Sequence, residues 1–337
     1  MRIGILGCGR QAPKHIKGFR AAGASDLVVA DAEPERAKRL AEKEGLKWFP
    51  EPAALFTDDA VAGVVLCTPT PSHAQLIHAA LEAGKHFLCE KPLCQSLEEA
   101  RGIQAVLSRR KLTGMVGYIY RAVPVFHAAR RILRPPDSSE SPLGALTLVW
   151  SRIGGRGSNA VWKHRRAQGG GAVNEMLVHT VDLLLWLLGG LDAPVLVDQA
   201  LLHAEREIDG TLVRADAEDF VVARFAGPGA LRVYCEADLI TPEFRQCLEI
   251  QGTNGSLVVS IQADGVNSLY LKQAVGGYPA GAHELKVREE DPYCVQAHTF
   301  LDAISGAGDG DYATVAQAQR VLELIAALRM QADRRDS

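Results

Sequence analysis

The amino-terminal third of this chain repeats one rhythm: a short apolar run, a turn, then a helix-like stretch. Apolar runs at 2–6, 27–30, 61–67, 86–89 and 113–116 are separated by helix-like segments at 13–22, 34–44, 72–83 and 97–110. Boundary residues agree. Ser72 with Gln75 three residues on has the capping-box spacing, Ser96 can cap the next helix, and Gly45 and Gly84 follow helix ends. Strands that alternate with helices can bury both faces of a sheet only by right-handed crossovers, so a doubly wound parallel sheet is predicted here. Beyond about Gly117 the rhythm changes. Runs rich in β-branched residues at 145–152, 195–203, 220–225, 231–236, 247–252, 257–261 and 268–272 are joined by short connections bearing Gly or Pro. They predict a large, mostly antiparallel open sheet, one face covered by helices and the other solvated or used for association. A buried helix is expected at 173–188, a final one from 312 to about 334, and an exposed loop at 134–142, which holds three prolines and three serines.

At 337 residues the chain exceeds the size at which a single core keeps growing. The change of rhythm therefore divides it into domains at 1–120 and 121–337, with the final helix free to pack back on the first. The fold class is α/β followed by α+β. A formal net charge of −3 gives no overall attraction to nucleic acid or anionic membrane, and a small neutral partner fits better. The seven cysteines are odd in number, contain no CxxC pair and mostly lie in apolar runs, as expected of a reduced, cytoplasmic protein. No His/Cys cluster has zinc spacing, so no metal is expected. The longest bilayer candidate, at 181–188, contains Asp182 and is short of the roughly 20 residues a membrane span needs.

Gly7-Cys8-Gly9-Arg10-Gln11-Ala12 links the first strand to the first helix with the spacing of a dinucleotide-binding turn, Ala12 taking the third small position. Gly7 permits the tight turn. Gly9 leaves the pyrophosphate a path to the helix N-terminus, whose unpaired N–H groups bind anions. Asp31 closes the second strand, where a carboxylate accepts hydrogen bonds from a ribose diol and repels the additional phosphate of NADP. NAD is therefore the expected cofactor. Asp31 also suits a helix N-cap, and the two roles are compatible.

Glu90-Lys91-Pro92 follows an apolar run at 85–89 and so stands at the carboxyl end of a parallel strand, the edge where open α/β sheets bind ligands. A partly desolvated lysine beside a nicotinamide could share the proton of a substrate hydroxyl. Pro92 lacks an N–H, and its amide admits a cis bond that would turn Lys91 sideways. Taken alone, an exposed Lys91 paired with Glu90 explains the motif as well. Thr68 and Pro69, with His73 at the start of the next helix, stand on the same edge as further cofactor candidates, although a solvated first-turn histidine is equally compatible with His73. In the second half, Gly169-Gly170-Gly171 runs into a helix on which Glu175 and His179 are four residues apart and share a face, with Asp182 three further on. An imidazole can accept a hydroxyl proton while a carboxylate holds the ring or grips a second hydroxyl. A polar stripe bonding neighbouring loops is the alternative. Trp162, Lys163, His164, Arg165 and Arg166 precede the glycines and either line a sugar pocket by stacking and hydrogen bonding or form an ordinary basic loop.

The spaced set Gly7-Cys8-Gly9, Cys67-Thr68-Pro69, Ala83-Gly84-Lys85-His86, Glu90-Lys91-Pro92 and the triple glycine leading to His179 and Asp182 resembles the glucose-fructose oxidoreductase and inositol dehydrogenase (Gfo/Idh/MocA) family. The resemblance spans nearly the whole chain, through Tyr120-Arg121 with Pro124, Gly252-Thr253-Asn254-Gly255-Ser256 and Phe300-Leu301-Asp302-Ala303-Ile304. It implies an N-terminal Rossmann domain, a C-terminal open sheet that forms homodimers or homotetramers, and NAD(P)-dependent redox chemistry on sugars or cyclitols. It also implies that Lys91, Glu175 and His179 are the catalytic group; Tyr120 at the domain junction and, from the basic loop, Trp162 and Arg165 are further candidates for holding the substrate. Glu175 departs from the family pattern, which more often has Asp there. The leading expectation is a dehydrogenase acting on CH–OH groups. An NAD-dependent glycosidase working by transient oxidation and a non-catalytic nucleotide-binding regulator are the alternatives.

Overall fold

The computed structural model describes residues 1–135, 140–156, 160–208, 210–262, 265–308 and 311–333, so part of the loop expected at 134–142 and the end of the last helix lie outside the described residues. The chain divides into two compact units, one of residues 1–123 with 289–322 and the other of 124–288 with 323–337. The segment 289–322 groups with the first unit.

The first unit contains β1 (Arg2–Leu6), α1 (Ala12–Ala21), β2 (Leu27–Ala30), α2 (Pro34–Glu44), β3 (Lys47–Phe49), α3 (Ala54–Thr57), β4 (Val61–Leu66), α4 (His73–Glu82), β5 (His86–Glu90), α5 (Leu97–Leu107) and β6 (Gly114–Gly117). The six strands form one parallel sheet in the order β3-β2-β1-β4-β5-β6. The order reverses between β1 and β4, and the carboxyl ends of β1, β2, β4 and β5 therefore share one edge at a topological switch point. Central strands are apolar on both faces because both faces are covered: Ile3, Ile5, Val64, Val65, Phe87 and Leu88 are wholly buried. The short edge strand β3 was not anticipated, since three residues are too few for periodicity to register. The capping box expected at Ser72 does not form. A 3-10 turn at Thr70–Ser72 precedes α4, and the Ser72 hydroxyl donates instead to the Pro69 carbonyl at 2.8 Å and lies 2.9 Å from the Thr68 hydroxyl. Ser96 and Glu99 do form one at the start of α5.

The second unit contains α6 (Pro124–Leu133), β7 (Leu146–Gly154), α7 (Val178–Leu188), β8 (Pro194–Ala200), β9 (Glu205–Ile208), β10 (Thr211–Arg214), β11 (Phe220–Ala226), β12 (Arg232–Asp238), β13 (Arg245–Gly252), β14 (Gly255–Ser260), β15 (Ser268–Leu271) and β16 (Gly281–Glu284). Its eight-stranded sheet runs β16-β15-β14-β13-β7-β12-β11-β8 and is antiparallel except for the β7–β12 pair; β9 and β10 form a separate hairpin. Alternation is clean. Val149, Ile153, Val233, Cys235, Leu248 and Ile250 are buried, while Trp150 faces outward, 47% exposed and stacked on Tyr234 at 4.5 Å. The helical segment 166–188 is long and apolar enough to cross a bilayer by length and composition, and about two thirds of it is buried within the protein. Of the remaining helices, α8 (Pro292–Ser305) belongs to the first unit, and α9 (Val315–Asp333) begins in the first and ends in the second.

Candidate active site

In the first unit the β1–α1 turn has the geometry a pyrophosphate cradle needs. Gly7 has a φ of +93°, and a Cβ there would stand 2.8 Å from the Cys67 carbonyl carbon and oxygen, so only glycine fits. A Cβ on Gly9 would meet no protein atom within 4 Å. Space is thus kept beside a ten-residue helix whose N-terminus can receive an anion. Asp31 is 6% exposed and accepts the Cys8 N–H at 2.6 Å and the Glu33 N–H at 2.9 Å. Two carboxylate oxygens offer about four lone-pair sites, which leaves capacity for a ribose diol. Cys8 is a packing thiol: burial, then the charge of Asp31, pushes its pKa up to about 12. Arg10 is exposed, and Gln11 accepts the Tyr293 hydroxyl at 3.1 Å. These residues fit NAD.

On the same edge of the sheet, Glu90 ends β5 and the half-buried Lys91 follows it, and the Lys91–Pro92 bond is cis. Burial alone would raise the Glu90 pKa, but a hydrogen bond from His15 and the charges of His15 and Lys91 outweigh it and hold the carboxyl below its usual range. His73 is not solvated. It is 1% exposed, with Nδ1 2.9 Å from the Pro92 carbonyl and Nε2 2.9 Å from the Thr68 carbonyl, so its polar atoms brace the loops that follow β4 and β5. Pro69 is exposed beside it, and burial raises the pKa of the Tyr120 phenol.

The second unit presents its own group of candidates. Residues 173–177 form a π-helical turn ahead of α7, a local widening that recurs at functional sites. Glu175 lies on this turn with a 9% exposed side chain and forms an ion pair with Lys163. His179, on the first turn of α7, is half-buried, whereas Asp182 is fully buried. The stripe read from the sequence therefore separates into a partly accessible pair and a core carboxyl. Glycines set the approach of the preceding loop: a Cβ on Gly170 would stand 2.3 Å from the Lys163 carbonyl oxygen, and one on Gly171 2.2 Å from a Glu218 carboxylate oxygen. The Trp162 ring is 39% exposed with the Lys163 ammonium 5.3 Å from its centroid, and Arg165 lies 3.8 Å from Asp216. Sequence reasoning missed His15 and the partnership of Lys163. The signal for His15 was a histidine among the apolar positions of α1; no periodicity ties the Lys163 loop to the helix. Among the described residues there is no group of three or more His, Cys, Asp or Glu side chains that could hold a metal ion.

A doubly wound parallel sheet with an open glycine turn and a buried acid after its second strand defines a Rossmann-type, dinucleotide-binding domain. Residues 1–118 match the family described as "Oxidoreductase family, NAD-binding Rossmann fold", and residues 128–258 match its "GFO/IDH/MocA C-terminal domain". The chain belongs to this Gfo/Idh/MocA family, whose members named below are dehydrogenases. It is 28% identical to an inositol 2-dehydrogenase of Rhizobium meliloti, over 98% of both chains. It is also 30% identical to inositol 2-dehydrogenase 2 of Saccharopolyspora erythraea, over 67% of this chain and 68% of the other. The structure of a levoglucosan dehydrogenase in complex with NADH and L-sorbose superposes with a TM-score of 0.86 at 20% identity, over 99% of this chain and 97% of that one.

Proposed function

We propose that the protein moves a hydride between a ring carbinol carbon of a sugar or cyclitol and C4 of the nicotinamide of NAD. The observation that carries this reading is Lys91 at the carboxyl end of β5, on the same sheet edge as Gly7, Gly9 and Asp31. Bound NAD would supply the hydride acceptor. Lys91 then stabilises the developing alkoxide, His179 takes up the hydroxyl proton, and Glu175, held by Lys163, orients the imidazole or a neighbouring hydroxyl. Thr68 and Pro69 border the cofactor, while Tyr120, Trp162 and Arg165 contact the substrate. The polyols named for the relatives, an inositol and levoglucosan, support a ring alcohol as the substrate class. The Asp31 charge favours NAD over NADP.

The first domain holds the cofactor, and the second holds the substrate and joins copies of the chain. The stacked Trp150 and Tyr234 on the uncovered face of the eight-stranded sheet support self-association, which sedimentation would detect as a dimer or tetramer. The reduced cysteines fit the cytoplasm. Screening NAD reduction across cyclitols, aldoses and nucleotide sugars tests the reading. NADH formed with a ring polyol supports it, while glycoside hydrolysis without net NADH, or NAD binding with no turnover on any member, contradicts it.

A further inference from the structure

Beneath the lysine motif lies a set of polar contacts that hydride transfer does not itself require. Glu90 has a 12% exposed side chain, and its carboxylate Oε1 lies 2.7 Å from His15 Nε2 on α1, a side chain 2% exposed. Tyr293, at the start of α8, sets its ring edge-on to His15 with centroids 5.2 Å apart. The backbones are shaped around this set: a Cβ on Gly18 would stand 2.4 Å from the Tyr293 carbonyl oxygen, and one on Gly117 3.2 Å from Glu90 Cα.

A hydrogen bond that served only the core could sit at many positions in this unit. This one is made by Glu90, the residue joined directly to the lysine proposed to act on the substrate. A charge-assisted bond in such a buried place is directional and stronger than a neutral one.

We propose that His15 is a positioning residue for Lys91: through Glu90 it fixes the lysine backbone, and, carried on the helix that follows Gly7-Cys8-Gly9, it ties the lysine to the cofactor turn. The inference rests on the reading of Lys91 as the group acting at the substrate hydroxyl, but its test does not need a substrate. The Lys91 amine is acylated in the full-length protein and its labelling rate is read by peptide mass mapping in the wild type, His15→Phe and His15→Gln. Phenylalanine fills the space of the ring without a donor, and glutamine restores an N–H. With NAD affinity retained as the sign of an intact fold, His15→Phe is expected to change the Lys91 rate about threefold to tenfold, the size of one hydrogen bond, and His15→Gln to return most of it. Equal rates in all three proteins overturn the proposal, as does a change that glutamine does not reverse. Should His15→Phe not fold, Glu90→Gln takes its place, and an unchanged Lys91 rate in that variant overturns it equally. In turnover, His15→Phe is expected to lower kcat more than it raises KM. A wild type without activity on any polyol would refute the dehydrogenase reading while leaving the labelling comparison intact.

Discussion

Gly7 and Gly9 stand two residues apart in one turn, yet their replacement by alanine is expected to fail in opposite ways. At Gly9 the new methyl meets no protein atom within 4 Å. The apo protein should therefore keep its stability within about 0.5 kcal/mol. The methyl does enter the space a pyrophosphate needs, and each charge-assisted hydrogen bond lost is worth about 1.5–3 kcal/mol, so the Kd for NAD should rise roughly tenfold to hundredfold. At Gly7 the order of effects reverses. A φ of +93° and backbone atoms of Cys67 at 2.8 Å leave the methyl nowhere to go. Left-handed backbone costs about 1–2 kcal/mol and overpacking about 1–3 more. At about 2–4 °C per kcal/mol the Tm should fall by roughly 5–20 °C. Differential scanning fluorimetry of the apo proteins and calorimetric titration with NAD separate the two. A Gly9→Ala protein that binds NAD like the wild type would refute the assignment of the cradle, and a Gly7→Ala protein of wild-type Tm would refute the geometry of the turn.

Lys91→Ala should lower turnover by about 10²–10⁴ while NAD affinity stays close to that of the wild type; undiminished turnover ends the role given to the lysine. Asp31→Ala removes the acceptor of the Cys8 and Glu33 N–H groups and the charge that repels a ribose phosphate. NAD affinity should fall about tenfold and the preference over NADP narrow, and an unaltered preference speaks against a ribose contact. Stability should decline in acid for two reasons of the same sign. His86 Nδ1 accepts the Thr113 N–H at 2.9 Å, and burial lowers its pKa from the ordinary 6.5, so its contribution is complete above about pH 6.5 and is lost as the pH falls below it. The depressed Glu90 carboxyl contributes fully above its ordinary 4.5 and loses that contribution as the pH falls through its lower folded value. Thermal melts from pH 8 to 5 should show a decline that His86→Leu flattens; an identical slope in the variant removes His86 from the explanation.

Local periodicity made the parallel sheet legible because β1, β4 and β5 are buried on both faces and are separated by helices with clear boundaries. The large sheet was legible from the β-branched runs, but the pairing of β7 with β12 joins strands far apart in sequence, and nothing local encodes it. Among the site residues, Gly7, Gly9 and Asp31 carry their geometry in their spacing. His15 and Lys163 do not. Their partners, Glu90 and Glu175, lie 75 and 12 residues away on other elements, so only the tertiary fold makes the pairs. Glu175 shows a further limit: i,i+4 spacing assumes an α-helix, and the π-helical turn at residues 173–177 changes the angle between successive side chains.

The fate of the carbinol hydrogen tests the proposed chemistry most directly. The ring polyol that the enzyme oxidises fastest, deuterated at carbon, is incubated with NAD, and the NADH formed is analysed by mass spectrometry. Direct hydride transfer predicts one deuterium retained on the nicotinamide ring. Unlabelled NADH, with the deuterium released to solvent, would contradict it.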